Sequence, residues 1–422
     1  MSERIDVALS NGIVTGERER DVCRFSAIPY AQAPIGSLRF APPVPSTWRG
    51  RLDATRPGPV APQLPSRLRG AMGDFEASQS EDCLHLTVWT PSPDSRRRPV
   101  VVWLHGGAHQ SGGGALDWYS GARLAARGDL VVVAPNYRLA ALGWLCVPGE
   151  FANLGLLDNE AALDWVHEHI ESFGGDPERI TVMGQSAGAA SIACLLMRAP
   201  RFDRAILQSA PLGRGLRSAE QAGQLADAML EAAGVRSMGE ARAAPIDAFL
   251  RAQQAPRVLD VLKAAGGNQN PFGPAADGEV LPIDANEALW RGCGKVDVLI
   301  GYTKDEMAAF PAFGVDPEAE RVGDALFGAP SRRWAGDAVR SGRSAWLYRF
   351  DFAPSARFGA CHCIELPFVF DTVDAFIEAP MMSGTMREDA RRLTQDLQRA
   401  WVDFIRGGSP GWTAGPQPHI FS

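Results

Sequence analysis

Ile180-Thr181-Val182-Met183 is a short apolar run, Gly184-Gln185-Ser186-Ala187-Gly188 follows it directly, and Ala189 to Arg198 then carries Ile192, Leu195 and Leu196 on one side. The three pieces read as a buried strand over 180–183, a tight turn, and a helix over 189–198. G-x-S-x-G by itself is a weak signal in a chain with 44 glycines. Its place between a strand and a helix is the informative part, because a nucleophile elbow has to lie there. The two glycines permit a turn too tight for side chains, and Ser186 is pushed out above the sheet edge. The serine then stands at a helix N-terminus, whose unpaired N–H groups and dipole favour a developing oxyanion. A glycine-rich turn whose serine merely caps the helix is the competing reading.

Upstream, residues 100–104 (Val-Val-Val-Trp-Leu) form another buried strand and run straight into His105-Gly106-Gly107-Ala108. An oxyanion hole needs two or three N–H groups converging on one point, and glycine lets the backbone approach without a Cβ in the way. The expected donors are Gly106 and Gly107, with Ala187 as the third. Strands are also expected over 84–89, 130–134, 296–301 and 344–352. Helices are expected over 159–172, before Gly174-Gly175, and over 387–406, where Leu393, Leu397, Trp401 and Phe404 form an apolar stripe. Short β-branched runs alternating with amphipathic segments indicate an α/β fold, a mostly parallel central sheet flanked by helices. Residues 212–267 are rich in Ala, Arg and Gln and read as a helical, cap-like insertion. The Gly/Pro-rich tail to Ser422 reads as irregular.

A base for Ser186 has to come from seven histidines. His85 lies on a strand, His105 in the oxyanion loop, His167 and His169 on a helix before the elbow, and His419 in the tail. The order serine, acid, histidine leaves His362, in a loop after the strand at 344–352. His109 is the runner-up, with a pocket-lining role as its alternative. The acid must lie between Ser186 and His362, just past a strand, and 296–301 supplies that strand. Asp305 and Glu306 are tied on spacing, while Asp277 in Ala276-Asp277-Gly278 reads as a turn residue.

The remaining features mainly exclude. The 42 basic and 49 acidic residues give a net charge of -7 without long like-charge blocks, so nucleic acid is not an expected partner. The apolar stretch 130–147 is interrupted by Asn136 and Arg138, and no membrane span is expected. The N-terminus carries Glu3, Arg4 and Asp6 and does not read as a secretory signal. Seven scattered cysteines fit free thiols in a reducing, cytoplasmic setting. Cys361-His362-Cys363 and His167-Glu168-His169 lack the paired ligand spacing of a metal site. Neither metal nor cofactor is expected, and monomer and dimer both stay open.

Together these residues resemble the type B carboxylesterases, the cholinesterase-like and para-nitrobenzyl esterase-like branch of the α/β-hydrolases. The likeness rests on Phe25-Ser26-Ala27-Ile28-Pro29-Tyr30-Ala31, Leu38-Arg39-Phe40, Glu81-Asp82-Cys83-Leu84, Asn136-Tyr137-Arg138, Gly155-Leu156-Leu157-Asp158, Phe173-Gly174-Gly175-Asp176-Pro177, Pro271-Phe272-Gly273-Pro274 and Glu365-Leu366-Pro367-Phe368. It covers nearly the whole chain and implies one domain over 1–422, a reduced cap, and serine carboxylesterase activity through an acyl-enzyme. It also implies Glu306 rather than Asp305 as the acid and supports His362. An acyl hydrolase on amides or thioesters, or a non-catalytic cholinesterase-like binding protein, are the alternatives. Two departures stand out. Ala61 occupies the place where secreted members pair a cysteine with the one matched by Cys83, so Cys83 should be an unpaired thiol, with Cys23 a remote alternative partner. Gln185 replaces the usual glutamate before the serine and removes a negative charge, which weakens the case for cationic substrates. Trp118, Tyr119, Met307, Phe310 and Phe313 are candidate pocket walls. The short steps from Glu306 to His362 and from His362 to the C-terminus predict a shallower, more open site than in longer relatives.

Overall fold

The computed structural model describes residues 3–265 and 270–422. A twelve-stranded sheet runs in the order Glu3–Leu9, Gly12–Glu19, Val22–Pro29, His85–Thr90, Val131–Pro135, Arg98–Leu104, Gly175–Gln185, Arg204–Gln208, Asp297–Thr303, Ala345–Phe350 and Gly415–Phe421, with Arg51–Asp53 beside Gly12–Glu19. The N-terminal strands pair antiparallel as far as His85–Thr90 with Val131–Pro135, and every later pairing in the order is parallel. Parallel strands are usually covered on both faces, and Arg98–Leu104 is buried throughout. Its alternation divides two cores: Val100, Val102 and Leu104 face one, Val101 and Trp103 the other.

Arg98–Leu104 lies between Val131–Pro135 and Gly175–Gln185. The chain therefore leaves it toward one side and later returns on the other, and the loops after Leu104 and Gln185 diverge from adjacent strand ends. Such a switch point is where open α/β sheets bind ligands, outside the carboxyl ends of their strands.

The strand expected over 180–183 extends over Gly175–Gln185, and the helix after it is Ala187–Met197. The helix expected over 159–172 begins earlier, as Leu154–His169, and tightens into a 3-10 turn over Ile170–Phe173. The region 212–267 holds four helices, Ala219–Ala233, Met238–Ala243, Ile246–Ala252 and Pro256–Ala264. The last two positions of that region lie outside the described residues.

The irregular tail is corrected. Gly415–Phe421 is a parallel edge strand against Ala345–Phe350, its proline positions tolerated at the edge, with Phe421 buried against Tyr348 and Trp401. Deep in the fold Arg138 meets Asp158 through Nε–Oδ2 at 2.8 Å and Nη2–Oδ1 at 2.6 Å, both side chains being almost fully buried. Arg138 Nη1 also donates to the carbonyl of Ala41, so this doubly bonded pair ties the N-terminal segment to the parallel half.

Candidate active site

Ser186 joins the end of Gly175–Gln185 to the start of Ala187–Met197 with φ 53° and ψ -117°. A non-glycine residue so placed carries roughly 1–3 kcal/mol of strain, which the surroundings must hold. They do so through Ser186 N–H donating to the Gln208 carbonyl at 2.8 Å and Ala190 N–H donating to the Ser186 carbonyl at 2.9 Å. The flanking glycines are required by contact. A Cβ on Gly188 would lie 1.9 Å from the carbonyl oxygen of Leu104, and one on Gly184 would lie 2.8 Å from the carbonyl carbon of Gly188.

Leu104 pairs with Gly184, which brings the loop after Leu104 alongside the elbow. A Cβ on Gly106 would stand 3.3 Å from that of Ser186 and 2.4 Å from Gln185 Oε1. The loop is braced from behind. Tyr137 donates its hydroxyl to the His105 carbonyl at 2.7 Å, and Gln110 and Ser111 N–H groups donate to the Gly107 carbonyl. Among the described residues the N–H groups of Gly106, Gly107 and Ala187 make no hydrogen bond. Gly106 and Ala187 adjoin Ser186, so unengaged donors border the serine from the loop and from the helix start.

His362 lies in the loop after Ala345–Phe350, with its Nδ1 2.5 Å from Glu306 Oε2; both side chains are almost fully buried. The other carboxylate oxygen, Oε1, accepts from Thr303 N–H at 2.9 Å. Asp305 is committed elsewhere: its N–H donates to the Ala360 carbonyl and its Oδ2 accepts from Ala360 N–H at 2.8 Å. The two neighbours divide the work, one clamping the loop and the other meeting the imidazole. With Nδ1 turned to a carboxylate, Nε2 presents its lone pair, and Gln185 Nε2 lies 3.0 Å from it. Among the described residues Ser186 Oγ has no hydrogen bond to His362. Phe310 and Phe327 pack on the imidazole at 5.5 and 5.1 Å.

His109 is placed apart from this group. It packs against Trp144, with Nε2 3.2 Å from Ser191 Oγ, and burial together with nearby Arg214 pulls its imidazole down to about 3. Of the expected pocket walls, only Phe310 is brought onto the imidazole. Trp118 stacks on Phe376, Tyr119 packs against Trp103 and Phe370, Met307 is buried in the core, and Phe313 is half-buried.

Two neighbours escaped the sequence reasoning. Glu365 is fully buried, accepts from Gln208 Nε2 at 3.0 Å, and leaves Oε2 without a partner among the described residues; burial and then nearby Glu306 push its carboxyl up to about 7. Its only signal was its place in a matched motif. Gln208 links the site to the core, accepting from Trp401 Nε1 at 3.3 Å.

A model of the carboxylesterase family matches residues 3–321 and 316–419. The probable N-octanoylanthranilate hydrolase AqdA2 of Rhodococcus erythropolis is 38% identical, covering 96% of this chain and 94% of the relative. The para-nitrobenzyl esterase of Bacillus subtilis (strain 168) is 34% identical, over 97% of this chain and 91% of the esterase. A solved para-nitrobenzyl esterase structure superposes with a TM-score of 0.86 at 32% identity, covering 97% of this chain and 93% of that one. The fold and these relatives agree with the motifs, and the chain belongs to the carboxylesterase family, the type B, cholinesterase-like branch of the α/β-hydrolases.

Proposed function

We propose that Ser186, His362 and Glu306 are the catalytic triad of a serine carboxylesterase, with Gly106, Gly107 and Ala187 as its oxyanion hole. The observation that carries the reading is the buried Glu306–His362 contact at 2.5 Å in the loop facing an elbow serine. His362 Nε2 exchanges its contact with Gln185 for the serine hydroxyl and removes the proton as Ser186 Oγ attacks the ester carbonyl. Glu306 keeps the imidazole in the productive tautomer and stabilises the imidazolium. The tetrahedral oxyanion takes the three N–H groups, the alcohol leaves with the proton from His362, and water then attacks the acyl-enzyme with His362 again as base.

Ser186→Ala should lower hydrolysis of para-nitrophenyl esters by at least roughly a thousandfold and abolish labelling by an organophosphate. Activity near the parent level would overturn the assignment. The name of the Rhodococcus erythropolis relative, which specifies an N-acyl compound, favours amide hydrolysis as a second reading. The part-exposed Ser186 supports a more open site than in longer relatives. We further propose one domain over 1–422 with a reduced helical cap at about 212–267, acting in the cytoplasm. The location is supported by seven free, buried cysteines, including Cys83 and Cys23.

A further inference from the structure

The N–H groups assigned to the oxyanion come from two separate elements, Gly106 and Gly107 from the loop after Arg98–Leu104 and Ala187 from the first turn of Ala187–Met197. Donors on different elements make one hole only while those elements keep their spacing, because a hydrogen bond weakens steeply once its donor turns away. The loop needs support to do so. Gly107, Ala108 and His109 follow one another at φ 115°, 57° and 59°. Two consecutive non-glycine residues in the left-handed region are strained, and such a backbone persists only where its surroundings hold it. Asn270 provides part of that hold from outside: its Nδ2 donates to the Ala108 carbonyl at 3.0 Å, and its Oδ1 accepts from Gln110 Nε2 at 2.6 Å.

His109 provides the rest, and it reaches the other element. Its carbonyl accepts from Ala140 N–H at 2.7 Å, and its buried ring packs on Trp144 at 4.1 Å. Ring Nε2 lies 3.2 Å from Oγ of Ser191, a fully buried residue and the one hydroxyl on the otherwise apolar helix Ala187–Met197. Ser191 Oγ in turn donates to the carbonyl of Ala187, one turn earlier, at 3.1 Å. A hydroxyl has a single proton to give. With that proton on Ala187, Oγ is left as an acceptor, so His109 donates from Nε2 and keeps its lone pair on Nδ1. Burial holds the ring in this neutral form, pulling it down to about 3. A buried path therefore joins loop to helix through His109 and Ser191, beginning two residues after Gly107 and ending on Ala187 itself.

We propose that His109 and Ser191 are positioning residues, a buried clamp that keeps the two halves of the oxyanion hole in register. This rests on the esterase reading above. Neither side chain belongs to the candidate triad, so the clamp acts through the backbone donors and is felt only in states that carry an oxyanion.

The test uses para-nitrophenyl butanoate and a trifluoromethyl ketone, whose carbonyl takes up Ser186 Oγ to give a bound oxyanion. His109→Phe keeps a ring against Trp144 and removes the donor, whereas Ser191→Ala removes its acceptor. Each should lower kcat and kcat/KM together by roughly tenfold or more, with KM moved less than about twofold, and should weaken ketone inhibition by a similar factor. The double variant should lose no more than the larger single loss, as the two ends of one contact do. His109→Gln, whose amide still donates, should recover part of the rate. A residue that only fills the core would lower the urea midpoint without separating kcat from KM or weakening the ketone. Variants with the parent's urea midpoint, kcat and ketone affinity overturn the clamp, as do single losses that multiply in the double variant, and the esterase reading then stands. If His109→Phe does not fold, Ser191→Ala decides by the same readouts. A wild-type chain that neither cleaves the ester nor binds the ketone overturns the esterase reading itself.

Discussion

Gln185 illustrates how one amide can set the working range of a site. It stands 3.0 Å from His362 Nε2, with its oxygen against Gly106. A carboxylate in its place would favour the imidazolium, and a base that holds its proton more tightly is neutral only at higher pH. Gln185→Glu should therefore move the acid limb of the kcat/KM pH profile upward by about one unit or more. An unmoved limb would show that position 185 does not act on the base. The same neighbourhood shows what could be read from residues alone. The strand-to-helix elbow at Ser186 was legible from the apolar run and glycines around it, and elimination left His362 as the one downstream candidate. Choosing between Asp305 and Glu306 was beyond spacing, because it depends on a bridge from Asp305 to the backbone at 360, fifty-five residues away. Only the family resemblance pointed to Glu306.

Among the elements, those with strong local signals were legible: the buried strands 100–104 and 180–183, and the amphipathic helix that forms as Arg387–Ile405. The tail was misread because prolines and glycines punctuate it, and what makes it a strand is non-local. Asp351 N–H donates to the Phe421 carbonyl at 2.7 Å, and the Phe421 ring packs at 6.2 Å from Tyr348 and 6.1 Å from Trp401. Tertiary partners thus outweigh local propensity at this edge. Since Phe421 is the tail's buried anchor, Phe421→Ala should destabilise the fold by about 3 kcal/mol, read as a lowered urea midpoint. A midpoint within error of the parent would mean that this edge strand contributes little to the cooperative fold. Any loss of activity should follow stability, because no residue of the strand belongs to the candidate triad or oxyanion hole.

For the whole molecule, the carboxyl of Glu365 links stability to pH. It is enclosed between the candidate site and the helix Arg387–Ile405, with one oxygen on Gln208 and the other without a partner among the described residues. Its value rises from 4.5 in the open chain to about 7 in the fold, because burial and Glu306 both disfavour its charge. The folded state therefore binds this proton more tightly than the unfolded state does. The resulting stability is fully present below about pH 4.5 and is lost as pH rises through about 7. At 1.36 kcal/mol per unit, the loss is on the order of 3 kcal/mol. Glu365→Gln removes the titration while keeping the shape. Its urea midpoint should change less between about pH 5 and about pH 8 than that of the parent, with the two curves converging toward the acid side. The slope is the decisive readout, because an amide and a protonated carboxyl differ in their hydrogen bonds and can shift the level at every pH alike. Parallel curves would mean that Glu365 stays ionised in the fold, held by a partner other than Gln208.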